Sequence, residues 1–325
     1  MTALFRVIGA AVICVSLLAA AGGASADNYP ARPLRLIVPF APGGPTDVIG
    51  RIIAQKLSEE WGQQVVTENL PGAGGNTGTA TAARAAADGY TMLVVSTGFV
   101  INPSIYAKIP YDPIKDFSPI TLIAASPNVI SVNPGFPPKT LRELIDLVKA
   151  NPGKYSFAQP ATGSTPHLAG ELFKQKYGLD LVTVPFNSAA LAVNSTLGGH
   201  TPIAFTALPP AMSNIKEGKL RGLAVLARSR SPALPDVPTS SEASVIDLES
   251  DTLTGLVAPA GTPREIVLRW RDSVASIVAT PEVQQRLTTL GFAAVADTPE
   301  EFGERLKSEM ARWAAVVHAA GIRAD

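Results

Sequence analysis

"LRLIVPFAPGGPTDVIGRIIAQKL", residues 34–57, divides into an apolar run, a glycine–proline loop and an amphipathic segment. The run 34–40 reads as a buried strand bounded by turn formers. Pro42, Gly43, Gly44 and Pro45 break it. Beyond the break, Val48, Ile49, Ile52, Ile53 and Leu57 recur at three- and four-residue spacing, which predicts a helix over 46–61. The pattern then repeats. Strand signals at 63–69 and 91–97 flank the loop "PGAGGNTG" (71–78) and an alanine-rich helix that runs up to Asp88. Strand–loop–helix units in series are the signature of a parallel sheet covered by helices.

Further along, 120–134 is a long extended stretch. Thr140 and Glu143 form a capping box, and Asn151-Pro152-Gly153 stops the helix they open. Strands at 154–160, 180–186, 201–205 and 220–226 alternate with helices at 166–177, 188–197 and 208–217. The proline-rich 229–242 reads as a surface crossing, and 251–261 is extended again. Thr262-Pro263, Thr280-Pro281 and Thr298-Pro299 open three closing helices, with Glu265 and Glu301 placed for capping boxes. Two extended stretches bracket the middle set, so the chain is expected to cross twice between two α/β lobes. Residues 27–125 and 251–325 form a discontinuous first domain, 126–250 an inserted second, with a ligand cleft between them.

Arg6, the apolar run 7–21 and the small residues before Asp27 describe a secretory signal peptide, 1–26, cleaved after Ala26. Cys14 is the sole cysteine, so the cleaved chain has none. Loss of Arg6 from 27 basic residues leaves 26 against 27 acidic ones, which offers no electrostatic footprint for nucleic acid or an anionic membrane. His167, His200 and His318 lie far apart without metal-ligand spacing, and neither a metal nor a cofactor is expected.

The loops carry the functional signal. The first lacks the lysine of a phosphate-binding loop, which argues against a nucleoside triphosphate. It retains a helix N-terminus, whose free amides and dipole favour an anion. Asp47 is placed to cap that helix and to pair with Arg51. Gly72, Gly74 and Gly78 approach a dinucleotide fingerprint, but Asp88 stands before its strand rather than at its end, so the loop reads as a second amide-rich turn. Ser164 and His167 lack a nucleophile-elbow context and read as a helix cap and a helix-face histidine. Glycines, hydroxyls, Asn and Phe dominate these loops, which suits a two-sided clamp on a small anion better than acid–base catalysis.

"VPFAPGGPTDVIGR", "ENLPGAGGNTGT", "AAADGYTMLV", "GSTPHLAGELF", "LPDVPTSSE" and "GLVAPAGTP" together resemble the solute-binding receptors of the tripartite tricarboxylate transporter system, the Bug family. The resemblance runs the length of the chain after the signal. It implies the two-lobed, type II-like periplasmic binding protein fold and a non-catalytic periplasmic receptor. It also implies a small carboxylate ligand delivered to the membrane subunits of a secondary transporter, and a monomer is expected. The expected ligand contacts are Phe40, Ala41, Gly44 and Thr46 from the first loop and Ser96 and Thr97 after the third strand. Thr162, Gly163, Ser164 and Thr165 face them, with Asn187 at the family's variable position. The chain departs from the family at Asn187, Ser188, Ser195 and Pro202, where lysine, glycine and two aspartates are usual. The loss of those carboxylates weakens the case for a ligand bearing an ammonium group. A ligand-presenting sensory receptor and a secreted hydrolase using Ser164 are the alternatives.

Overall fold

The computed structural model describes residues 29–243 and 248–324; the expected signal peptide lies outside the described residues. Strand β1 (Leu34–Val38) leads through the glycine loop into α1 (Pro45–Trp61). Gly62 ends α1 in the left-handed conformation, and the chain returns as β2 (Val65–Asn69), parallel to β1. A tight 3-10 turn, Ala73–Gly75, precedes α2 (Asn76–Ala83), and β3 (Thr91–Ser96) then pairs parallel with the other side of β1. The alanine-rich helix is shorter than composition predicts because tertiary contacts take over its end. Asp88 pairs with Arg32, Tyr29 Oη donates to Gly89 O, and a Cβ at Gly89 would stand 2.6 Å from Ile266. Helix α3 (Gly98–Ile105) has no sequence signal: five of its eight residues are buried, so no polar stripe marks a period.

The 16-residue strand β4 (Phe117–Val132) belongs to both halves of the molecule. After it come α4 (Leu141–Lys149), β5 (Ser156–Pro160), α5 (Thr165–Tyr177), β6 (Val182–Phe186), α6 (Ala189–Leu197), β7 (Ile203–Ala207), α7 (Leu208–Lys216) and β8 (Arg221–Val225). Strand β9 (Asp251–Pro259), α8 (Arg264–Ala279), α9 (Pro281–Thr289), the short β10 (Ala293–Ala294) and α10 (Pro299–Ala320) complete the chain. The strand order is β2-β1-β3-β9-β4-β7-β5-β6, with β8 and β10 also paired to β4. Strand β9 runs antiparallel between β3 and β4. Through Pro127, β4 pairs with β9; from Asn128 onward it pairs with β7 and β8. The fold is therefore α/β with a mixed sheet, parallel at both ends and antiparallel where β4 and β9 cross.

The largest apolar clusters among the described residues hold the elements. Ile49, Ile53 and Leu57 of α1 meet Trp270 and Val274 of α8 on one face. Phe99 and Val100 of α3 meet Phe302 and Trp313 of α10 on the other. Phe157, Phe173 and Phe205 fill the second half with Leu141, Leu144 and Val148. Each fully buried side chain of this size contributes about 1.5–3 kcal/mol. Leu168 of α5 joins the α3 cluster beside Ile101 and Ile105, so the second half rests directly on the first.

Two local expectations change. The proline-rich 229–242 is not a surface crossing: Ala233, Leu234 and Val237 are buried against Val129, Leu208 and Leu220. The amides of Val225 and Ser240 tie this segment to β8, which spares its backbone an unpaired burial. The Thr298–Glu301 capping box forms, and Thr140 caps α4, but Thr262 does not cap α8. Its hydroxyl donates to Pro259 O at 2.7 Å instead. Among the described residues no helix is long and apolar enough to cross a membrane.

Candidate functional site

The first loop is organised around one buried carboxylate. Asp47 lies 2% exposed in the first turn of α1. Its Oδ2 accepts the Gly43 amide at 2.9 Å, and both oxygens face Arg51 Nε at 2.9–3.0 Å. Asn69 Nδ2 donates to Asp47 Oδ1 at 2.8 Å and to Phe40 O at 3.0 Å. Burial alone would raise the carboxyl pKa, but the bonds from Arg51, Gly43 and Asn69 and the Arg51 charge outweigh it and hold it below the usual range. Asp47 thus pairs with Arg51 as the i, i+4 spacing predicts, while Gly44 occupies the cap position without a side-chain bond. The first-turn amides of Gly44, Thr46 and Asp47 have no intrahelical acceptor, and Pro45 has no N–H. Ala41 is exposed and Phe40 half-buried. A Cβ at Gly75 would touch the Phe40 ring at 3.2 Å, so the first two loops pack on each other.

A buried amide network sets the second loop. Asn102 Nδ2 donates to Gly74 O at 3.0 Å and to Asn76 Oδ1 at 2.8 Å, and Tyr111 Oη donates to the same oxygen at 2.8 Å. Burial pushes the Tyr111 phenol up to about 12. Asn76, Asn102 and Tyr111 are absent from the sequence-derived candidates. The signal available was Asn102 as a lone amide in the apolar run "GFVINPSI". At the end of β3, Ser96 Oγ accepts the Gly98 amide at 3.3 Å and Thr97 Oγ1 accepts that of Leu253 at 3.0 Å.

The opposing loop is 160–165. Ser164 Oγ caps α5 by accepting the His167 amide at 3.4 Å, and it donates to Pro160 O. The Gly163 amide donates to His167 Nδ1 at 3.0 Å. The Ser164 hydroxyl thus donates to a backbone carbonyl, while His167 Nδ1 is engaged by the Gly163 amide. Thr162 is exposed at the tip. Thr165 Oγ1 lies 3.1 Å from Thr252 Oγ1, and a Cβ at Gly163 would stand 2.7 Å from Ile105 Cδ1. Gly163 holds φ +78°, so only glycine suits both the turn and the contact. Asn187 is exposed at the end of β6, and Ser188 Oγ caps α6 by accepting the Leu191 amide at 3.2 Å. Ser195 Oγ accepts from Thr201 Oγ1 at 2.9 Å, so that departure serves local structure; the Pro202 carbonyl accepts the Asn133 amide at 3.0 Å, a backbone bond that does not depend on the side chain at 202.

The two loop sets therefore converge on the start of β9. Thr97 and Leu253, Thr165 and Thr252, Gly163 and Ile105 are the contacts. Thr252 is a further residue that strand periodicity does not single out. The assembly presents helix N-termini, hydroxyls and an apolar ring, with its one buried carboxylate already neutralised by Arg51. Free first-turn amides and helix dipoles of this kind favour an anion.

Residues 49–322 match the tripartite tricarboxylate transporter family receptor model. The chain is similar to BugT of Bordetella pertussis, 35% identical over 325 residues and 99% of each chain. A Rhodopseudomonas palustris protein determined with adipate is 34% identical with a TM-score of 0.78, covering 91% of this chain and 99% of its own. MatC from Rhodopseudomonas palustris, with bound malate, is 31% identical with a TM-score of 0.72, covering 89% and 100%. The chain belongs to the tripartite tricarboxylate transporter receptor family, a family of periplasmic solute-binding receptors rather than enzymes.

Proposed function

We propose that this chain captures a small dicarboxylate between its two α/β lobes, 27–125 with 251–325 and 126–250, and delivers it to the membrane subunits of a tripartite tricarboxylate-type transporter. The observation that carries this reading is the convergence of two helix starts without acidic side chains, those of α3 at Thr97 and α5 at Thr165, on Thr252 and Leu253 of β9. First-turn amides at Gly44, Thr46 and Thr165, with the hydroxyls of Ser96, Thr97 and Thr162, are the groups assigned to the carboxylates. Phe40 covers the ligand's apolar part. Adipate and malate, bound by two relatives, are the first candidates. The exposed Asn187 sits where a ligand-facing side chain tunes selectivity, and no unpaired carboxylate among these residues favours an ammonium group. Closure of the lobes about β4 and β9 supplies the ligand-dependent change that a transporter reads.

The test is a thermal shift screen of refolded protein against mono-, di- and tricarboxylates, acidic amino acids and neutral analogues. A ligand at about 100 times its dissociation constant adds roughly 2.7 kcal/mol. Stabilisation confined to carboxylates supports the reading, and a response to neutral analogues alone refutes it.

A further inference from the structure

His167 takes no part in the binding scheme, yet it is built into the loop that does. It is 7% exposed, in the first turn of α5, with Nδ1 accepting the Gly163 amide at 3.0 Å. A ring nitrogen that accepts carries no proton, so the imidazole is the neutral Nε2–H tautomer. Nε2 faces Glu171 Oε1 at 3.8 Å. Glu171 is held in turn by Lys174 Nζ at 2.9–3.0 Å and by Thr183 Oγ1 of β6 at 2.6 Å. The charges acting on the ring are those of Glu171 and Lys174, both on α5. Among the described residues, no charged group on β4, β5, β7 or α10, which pack on the same helix, is a cause of the imidazole's pKa shift. Glu309 and Arg312 of α10 line a groove further along α5, with Leu172, Gln175 and Lys176.

We propose that neutral His167 is the positioning residue of the 161–165 loop: by accepting the Gly163 amide it fixes the turn that seats Gly163 on Ile105 and Thr165 against Thr252, and its protonation releases that turn. The inference rests on the reading of this loop as half of the dicarboxylate site. A proton on Nδ1 would set one donor against another across the Gly163 contact. Burial lowers the imidazole pKa from its usual 6.5, opposed by Glu171 and assisted by Lys174. The loop is therefore locked at neutral pH. The contribution is complete above the unfolded value and is lost as pH falls through the folded one.

Ring 15N spectra of histidine-labelled protein resolve the three histidines, and His167→Asn assigns the signal. The expected result is a bare Nδ1, a midpoint below 6.5 and a Gly163 amide whose exchange protection falls with the ring's titration. In His167→Asn, the amide oxygen replaces Nδ1 without titrating, and protection should persist to lower pH. In His167→Leu it should be lost at every pH; if that variant does not fold, the comparison of wild type with His167→Asn decides. Calorimetric titration with adipate and with malate should show wild-type affinity falling about tenfold more than that of His167→Asn across the transition. An Nδ1–H tautomer, or Gly163 protection indifferent to the ring, overturns the proposal. Protection that follows the ring while neither dicarboxylate binds upholds the positioning role and overturns the ligand reading instead.

Discussion

Asp47→Asn tests whether one buried carboxylate organises the first loop. The substitution keeps the shape and removes the charge. Three donors converge on the native side chain, from Gly43, Arg51 and Asn69. An amide offers one oxygen to those donors and turns an NH2 on the rest. A hydrogen bond to a charged group contributes about 1.5–3 kcal/mol, and a buried donor left unsatisfied costs about 1–3 kcal/mol. Partial satisfaction by the remaining oxygen brings the expected loss to about 2–3 kcal/mol at pH 7. At about 2–4 °C per kcal/mol for a chain of this class, Tm falls by about 4–12 °C. The pH dependence gives the sign. The folded pKa of Asp47 lies below the usual carboxylate value, so its contribution is present above about 3.8 and lost as pH falls through the folded value. Urea unfolding of wild type and variant from pH 7 to pH 3 should therefore show a gap that is constant near neutrality and narrows in acid. Equal midpoints at pH 7, or a gap that persists unchanged in acid, would refute this account of the loop.

Gly78→Ala places a methyl group 2.8 Å from Leu70 O and 2.9 Å from Pro39 Cα, both backbone atoms. Overpacking costs about 1–3 kcal/mol and exceeds the helix-propensity gain of about 1 kcal/mol, so the urea midpoint should fall; an unchanged or higher midpoint contradicts the close approach. Thr165→Val and Thr252→Val remove the two ends of one hydroxyl pair. A double-mutant cycle should give a coupling of about 0.5–1.5 kcal/mol, and strict additivity would show that the hydroxyls do not bridge the two halves.

Sequence alone established the alternation of strands and helices, the glycine loops at helix starts, the Asp47–Arg51 pair, the Ser164 cap and the Thr298 capping box. Each depends on residues within a few positions of one another, where periodicity, propensity and side-chain reach decide the outcome. The family was legible too, through long motifs at matching positions. Tertiary structure decided the rest. It ended α2 at Ala83 through contacts with Tyr29 and Ile266, buried Leu234 and Val237 within a proline-rich stretch, and hid α3 by surrounding it with apolar neighbours. It also joined Thr97 to Leu253, Thr165 to Thr252 and Gly163 to Ile105. No local pattern specifies those pairs. Their partners are far apart in the chain, and they meet because β4 changes partners after Pro127 while β9 lies between β3 and β4.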